Sequence, residues 1–196
     1  DIIEVNFPFI YYFRTIPHLI ERYLGISYIP VSIWLNIAIT LIGFITTVNL
    51  LKFTEYSSRP LAKNSLIIGL CFGMFILPFT LTQNFFGEKE QLIMAMMMPY
   101  IFSAIAGDKY YSISKYKRFG IAAFAALGIC IKPMYVLVFI AVELWKTGFR
   151  FWVLGSGSVH STQHQALRTY LEPLTIIIIG LIYIIFILTG TPEFLE

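Results

Sequence analysis

Apolar runs of bilayer length alternate along this chain with short polar segments, and the charges in those segments give the runs a direction. The clearest case is residues 82–111, where a polar turn with Glu88, Lys89 and Glu90 precedes an apolar run over 92–106 and a basic segment over 109–118. A charged edge, a helix of membrane depth and a basic edge define a crossing and its sense. Further spans are expected over 29–51, with Trp34 as an interfacial anchor, over 65–81, kinked or ended at Pro78, and over 174–188. Residues 119–145 would suffice for one tilted span, but Lys132-Pro133 divides them into two apolar pieces. The segments on either side, 108–118 and 146–170, are both basic, and an excess of Lys and Arg marks cytoplasmic loops. The stretch therefore goes in and returns, as two short helices with Lys132 at the far turn.

Residues 1–28 are interrupted by Pro8 and Pro17 and hold no unbroken apolar run of spanning length. Phe13, Ile16, Leu19, Ile20, Tyr23 and Leu24 recur there at helical spacing, with Arg14, Glu21 and Arg22 off the stripe. That pattern predicts an amphipathic helix lying at the membrane interface. The expected fold is all-α: one transmembrane domain over residues 1–196, a polytopic bundle of about six membrane-embedded helices plus the interfacial one.

Composition agrees with this solvent. Hydrophobic residues make up 58% of the chain and charged residues 13%, with a mean hydropathy of +0.76. A soluble domain is about a quarter charged, because its surface must meet water. The formal charge of +3 comes without an aromatic-basic RNA motif, so nucleic acid is not an expected partner. Cys71 and Cys130 both fall in apolar runs, where a thiol packs as a small hydrophobe; neither a disulfide nor a metal site is expected from them. The chain starts at Asp1 without a signal peptide and ends just after a hydrophobic helix, so it reads as an internal fragment of a longer polytopic protein.

The topology sorts the charges. Ten of the fourteen basic residues fall on the cytoplasmic side: Lys52, Arg59, Lys63, Lys109, Lys115, Lys117, Arg118, Lys146, Arg150 and Arg168. Seven of the eleven acids fall outside: Asp1, Glu4, Glu21, Glu88, Glu90, Glu193 and Glu196. Among the external groups, Glu88 and Glu90 stand at the head of a helix, where the dipole favours carboxylates as plain caps. The functional alternative is an acid or ligand pair on an external cleft, able to act as general base or to orient a hydroxyl. Lys132, between Cys130-Ile131 and Pro133-Met134, is a costly ammonium in an apolar setting unless it snorkels or pairs. Its functional alternative is a cation that holds a phosphate or pairs with Glu88 or Glu90. His160 and His164 lack a third ligand, Gly155-Ser156-Gly157-Ser158 lacks the lysine of a phosphate loop, and Met94, Met96, Met97 and Met98 read as packing.

Four segments carry a resemblance. Residues 86–92, FGEKEQL, with the helix through Pro99-Tyr100, resemble the G-x-(R/K)-E-H-L … P-Y turn and helix of bacterial GT-C type integral membrane glycosyltransferases. Residues 127–133, LGICIKP, with Glu143-Leu144, resemble their G-x-x-x-K-P … E-L hairpin. Residues 4–9, EVNFPF, are similar to their D-V-N-P-P-L segment, and 191–194, TPEF, to their T-P-E-Y. Gln91, Phe7 and Glu4 stand where those patterns have histidine, proline and aspartate.

The resemblance implies transfer of a sugar from a polyprenyl-phosphate donor to a glycan or lipid acceptor, at the external face of a bacterial inner membrane. It assigns Lys89 and Lys132 to the donor phosphate, Glu88 and Glu90 to orienting a lysine or the acceptor, and Glu4 and Asn6 to the loop motif. The family's main catalytic acid lies in an external loop that would precede Asp1, and no metal or cofactor is implied for this chain. Two other classes fit the composition: a transporter or flippase, which also needs interrupted helices, and a non-catalytic membrane fragment.

Overall fold

The computed structural model describes residues 8–54, 58–76, 89–155 and 170–190. Within them the chain is helical: α1 (Pro8–Leu24), α2 (Tyr28–Leu50, prolonged by a 3-10 turn over Leu51–Phe53), α3 (Pro60–Cys71, running into a π turn over Phe72–Ile76), α4 (Lys89–Ile105), α5 (Lys115–Ile131), α6 (Val136–Gly155) and α7 (Leu171–Gly190). Two stretches are long and apolar enough to cross a membrane, Tyr28–Phe53 and Leu171–Gly190; Pro60–Ile76 and Glu90–Ile105 are shorter apolar helices.

Helix α4 is the centre. Gln91, Leu92, Ile93, Ala95, Met96, Met97, Tyr100, Phe102 and Ser103 are all buried, while the stripe of Met94, Met98, Ile101 and Ile105 is less covered. Such a helix needs neighbours on most sides. It packs against α2 on one flank and α5 on the other, and α5 in turn packs on α7. Both α4 contacts are close because small residues line them. A Cβ added at Gly43 of α2 would stand 2.2 Å from the Ala95 carbonyl oxygen, and one at Gly128 of α5 would stand 3.2 Å from the Met96 Cβ. Ala122, Ala125 and Ala126 continue the small face of α5. Met96 and Met97 fill the core as expected, whereas Met94 is half exposed.

The hairpin expected over 119–145 is present, with α5 and α6 joined through Lys132 and a 3-10 turn over Pro133–Tyr135. Both helices extend beyond the apolar pieces, α5 starting at Lys115 and α6 running to Gly155. The turn follows from Pro133, which denies the preceding residue the helical conformation; Lys132 is extended at φ −146°. The second apolar helix begins at Pro60 rather than near 65, since proline is well suited to a first helical turn. Its expected break at Pro78 lies outside the described residues.

Helix α1 forms where the amphipathic helix is expected, and Pro17 does not stop it. It ends at Gly25, whose φ of +67° closes the helix with a hydrogen bond from its N–H to the Glu21 carbonyl. Glu21 also accepts a hydrogen bond from the Tyr28 N–H at the start of α2. The face that packs lies beside the apolar stripe, which the sequence assigns to an interface rather than to the bundle. Ile10 and Pro17 are buried and Phe13 packs against the core, while Ile16, Leu19, Tyr23 and Leu24 point away from the bundle. The helix packs chiefly against α2, and edge-to-face pairs of Phe9 with Tyr183 and Tyr12 with Phe186 add a contact with α7.

Candidate functional site

Helices α4 and α5 run antiparallel, so the start of α4 meets the end of α5. There the Lys132 Nζ lies 2.8 Å from Glu90 Oε1. Each partner sits at the helix end that favours its charge: the carboxylate at the positive N-terminus of α4, the ammonium at the negative C-terminus of α5. The side chains are 33% and 44% exposed, so a ligand can reach both from solvent. An ammonium has three donors, and a pair this open is labile enough for a phosphate oxygen to share the cation. Beside it Gln91, buried at 8% exposure, donates from Nε2 to the Met74 carbonyl in the π turn, 3.3 Å away.

Of the residues singled out from sequence, Glu90 and Lys132 are thus brought together. Lys89 opens α4, so it and Glu90 belong to the first helical turn rather than to a turn before the helix. The Lys89 side chain, and Glu4, Asn6, Glu88, His160 and His164 altogether, lie outside the described residues. Among the described residues no group of three or more His, Cys, Asp or Glu is placed to hold a metal ion.

Two further charged clusters lie within the bundle. Arg118 is not a solvated basic anchor. Only 2% exposed, it makes a two-pronged pair with Glu172 of α7, Nε to Oε1 at 2.5 Å and Nη2 to Oε2 at 2.9 Å. Its guanidinium carbon also stands 4.8 Å from the Tyr111 ring centroid and 5.6 Å from that of Tyr110. Burial, reinforced by the Glu172 carboxylate, pushes the Tyr110 phenol far above its ordinary value. Lys146 is likewise inside rather than on a loop. At 9% exposure it reaches Glu143 Oε1 at 3.0 Å and lies 4.2 Å from the Tyr100 ring centroid. The Tyr100 hydroxyl donates to the same Glu143 oxygen.

The three clusters lie at different depths. Tyr100 is ten residues beyond Glu90, or ~15 Å along α4; Arg118 is fourteen before Lys132, or ~21 Å along α5. The Glu90–Lys132 pair therefore marks one end of the bundle, the Arg118–Glu172 pair the other, and the Tyr100–Glu143–Lys146 group lies between. A signal for the buried arginine exists in the sequence. Arg118, Ile121, Ala122 and Ala125 share the i, i+3, i+4, i+7 face of α5, and Glu172, Thr175 and Ile176 follow the same register on α7. Comparison with protein-family models, with curated proteins and with solved structures returned no match.

Proposed function

We propose that this chain is the membrane domain of a glycosyltransferase that moves a sugar from a polyprenyl-phosphate donor to a glycan or lipid acceptor. In this reading the bundle spans a bacterial inner membrane with its Lys132 end at the external face. The observation that carries it is the half-exposed Glu90–Lys132 pair, formed between the two segments whose sequences resemble GT-C motifs. An apolar bundle edge suits an isoprenoid tail, and a cation at headgroup level suits its phosphate.

The chemistry assigned to each group follows. The acceptor oxygen bonds to the anomeric carbon as the bond from that carbon to the phosphate oxygen breaks. Lys132, with Lys89, neutralises the charge that builds on the leaving phosphate. Glu90 holds Lys132 in place, and Glu88 orients the second lysine or the acceptor. The acceptor proton passes to a carboxylate acting as general base.

Transfer from a labelled polyprenyl-phosphate sugar, by the full-length protein in its membrane, tests this. Lys132→Ala is expected to lower kcat/KM by ~100-fold, the usual cost of one electrostatic contact to a developing charge, and to weaken donor binding. Unchanged donor affinity in that variant rejects the assignment.

A transporter is the second reading, and the Tyr100–Glu143–Lys146 group favours it, because ionisable side chains at depth between helices commonly line a solute or proton path. Glu143→Gln separates the two: it should abolish solute flux into proteoliposomes under the second reading and leave sugar transfer within a few-fold of normal under the first.

A further inference from the structure

A crevice between α1, α2 and the first turns of α4 is lined by Phe13, Arg14, Pro17, Ser32, Asn36 and Leu92. Three observations make it more than a packing gap. Asn36 is 7% exposed, yet its Oδ1 has no hydrogen-bond partner among the described residues. A buried acceptor left unpaired costs free energy that a donor would recover. Arg14 stands at the mouth, exposed, and guanidinium groups favour phosphate oxygens over other anions. The cavity volume is about 20 Å³, room for a single small polar group.

We infer that this crevice binds the headgroup of a glycerophospholipid whose terminal group carries an O–H or N–H donor, as phosphatidylglycerol and phosphatidylethanolamine do. The terminal hydroxyl or ammonium enters and donates to Asn36 Oδ1, while the phosphodiester stays at the mouth on Arg14. The acyl chains run along α2, where Ile29 and Ile33 flank Ser32 and Asn36 on one face at i, i+3, i+4, i+7 spacing and are 67% and 41% exposed. The crevice opens at the Lys132 end, since Leu92 is two residues from Glu90, so headgroup depth and crevice depth agree. This inference rests on the bilayer placement of the bundle and not on sugar transfer.

Thermal unfolding of the detergent-solubilised protein, titrated with single lipids, tests it without any sugar donor. Phosphatidylglycerol and phosphatidylethanolamine should each raise Tm by several degrees. Phosphatidylcholine, which has the same phosphodiester but no terminal donor, should not. Asn36→Leu should raise Tm in the absence of lipid and remove the lipid-dependent rise; Arg14→Gln should remove the rise alone. An equal rise with phosphatidylcholine, or a full rise in Asn36→Leu, overturns the site and leaves an ordered water as the donor. A rise with soluble glycerophosphoglycerol alone overturns the lipid as its occupant. Loss of transfer in Lys132→Ala bears on none of these outcomes.

Discussion

Replacing Glu172 with alanine should lower the stability of the bundle by about 3–5 kcal/mol, the cost of breaking a buried ion pair by removing one partner. The pair it forms with Arg118 is inaccessible, each side chain being 2% exposed, so water cannot replace the lost carboxylate without opening the contact of α5 with α7. The neighbouring Tyr110 and Tyr111 rings offer the guanidinium only their faces, worth about 1–2 kcal/mol to a desolvated cation. The converse is equally informative. Removing both partners, as in Arg118→Met with Glu172→Leu, leaves no unpaired charge and should restore most of the loss, because the attraction in such pairs barely exceeds their desolvation. Chemical denaturation in micelles, run as a double-mutant cycle, measures both. A loss below about 1 kcal/mol for Glu172→Ala would mean that the pair is wet, as for surface ion pairs.

Gly43→Val should have the second large effect, through backbone rather than charge. The missing Cβ is what lets α2 lie on α4, since any side-chain carbon at position 43 meets the Ala95 carbonyl oxygen at 2.2 Å and its carbon at 3.0 Å. Neither atom can yield, because both belong to a helix backbone. The helices must separate, and overpacking of this kind costs about 1–3 kcal/mol or more. Thr47, fully buried one turn on and bonded through Oγ1 to the Gly43 carbonyl, would lose its packing with it. Gly69→Ala is the control: nothing lies within 4 Å of its Cβ, so it should be neutral or gain up to about 1 kcal/mol of helix propensity. Equal stability of the two variants would show that α2 and α4 do not meet at this glycine.

Much of this bundle is visible in the hydropathy pattern. Helices α2, α4 and α7 are apolar for most of their length, and such runs need no partner information to be read. The α5–α6 hairpin needed one more signal, the basic segments on either side of Lys132-Pro133, and the cost of a lone ammonium left pairing with Glu88 or Glu90 as one of several outcomes for Lys132. What failed was the reading of individual charges near helix ends. Arg118 stands beside Lys115 and Lys117, so its neighbours in sequence suggest a solvated patch; its place on the face of Ile121 and Ala122 says otherwise. Lys146 opens the basic 146–170 segment in sequence, although it lies three residues from Glu143, within one helical turn. The stripe of α1 was legible as an amphipathic face turned away from the bundle, and Ile16, Leu19, Tyr23 and Leu24 are exposed there.

Sidedness of the bundle is the claim on which the rest depends. Single cysteines at Lys132 and Ser112, in a background with Cys71 and Cys130 replaced by alanine, would be probed in intact cells with a membrane-impermeant maleimide. The account predicts labelling of Lys132→Cys from outside and of Ser112→Cys only after permeabilisation. Labelling of both positions from the same side would contradict it.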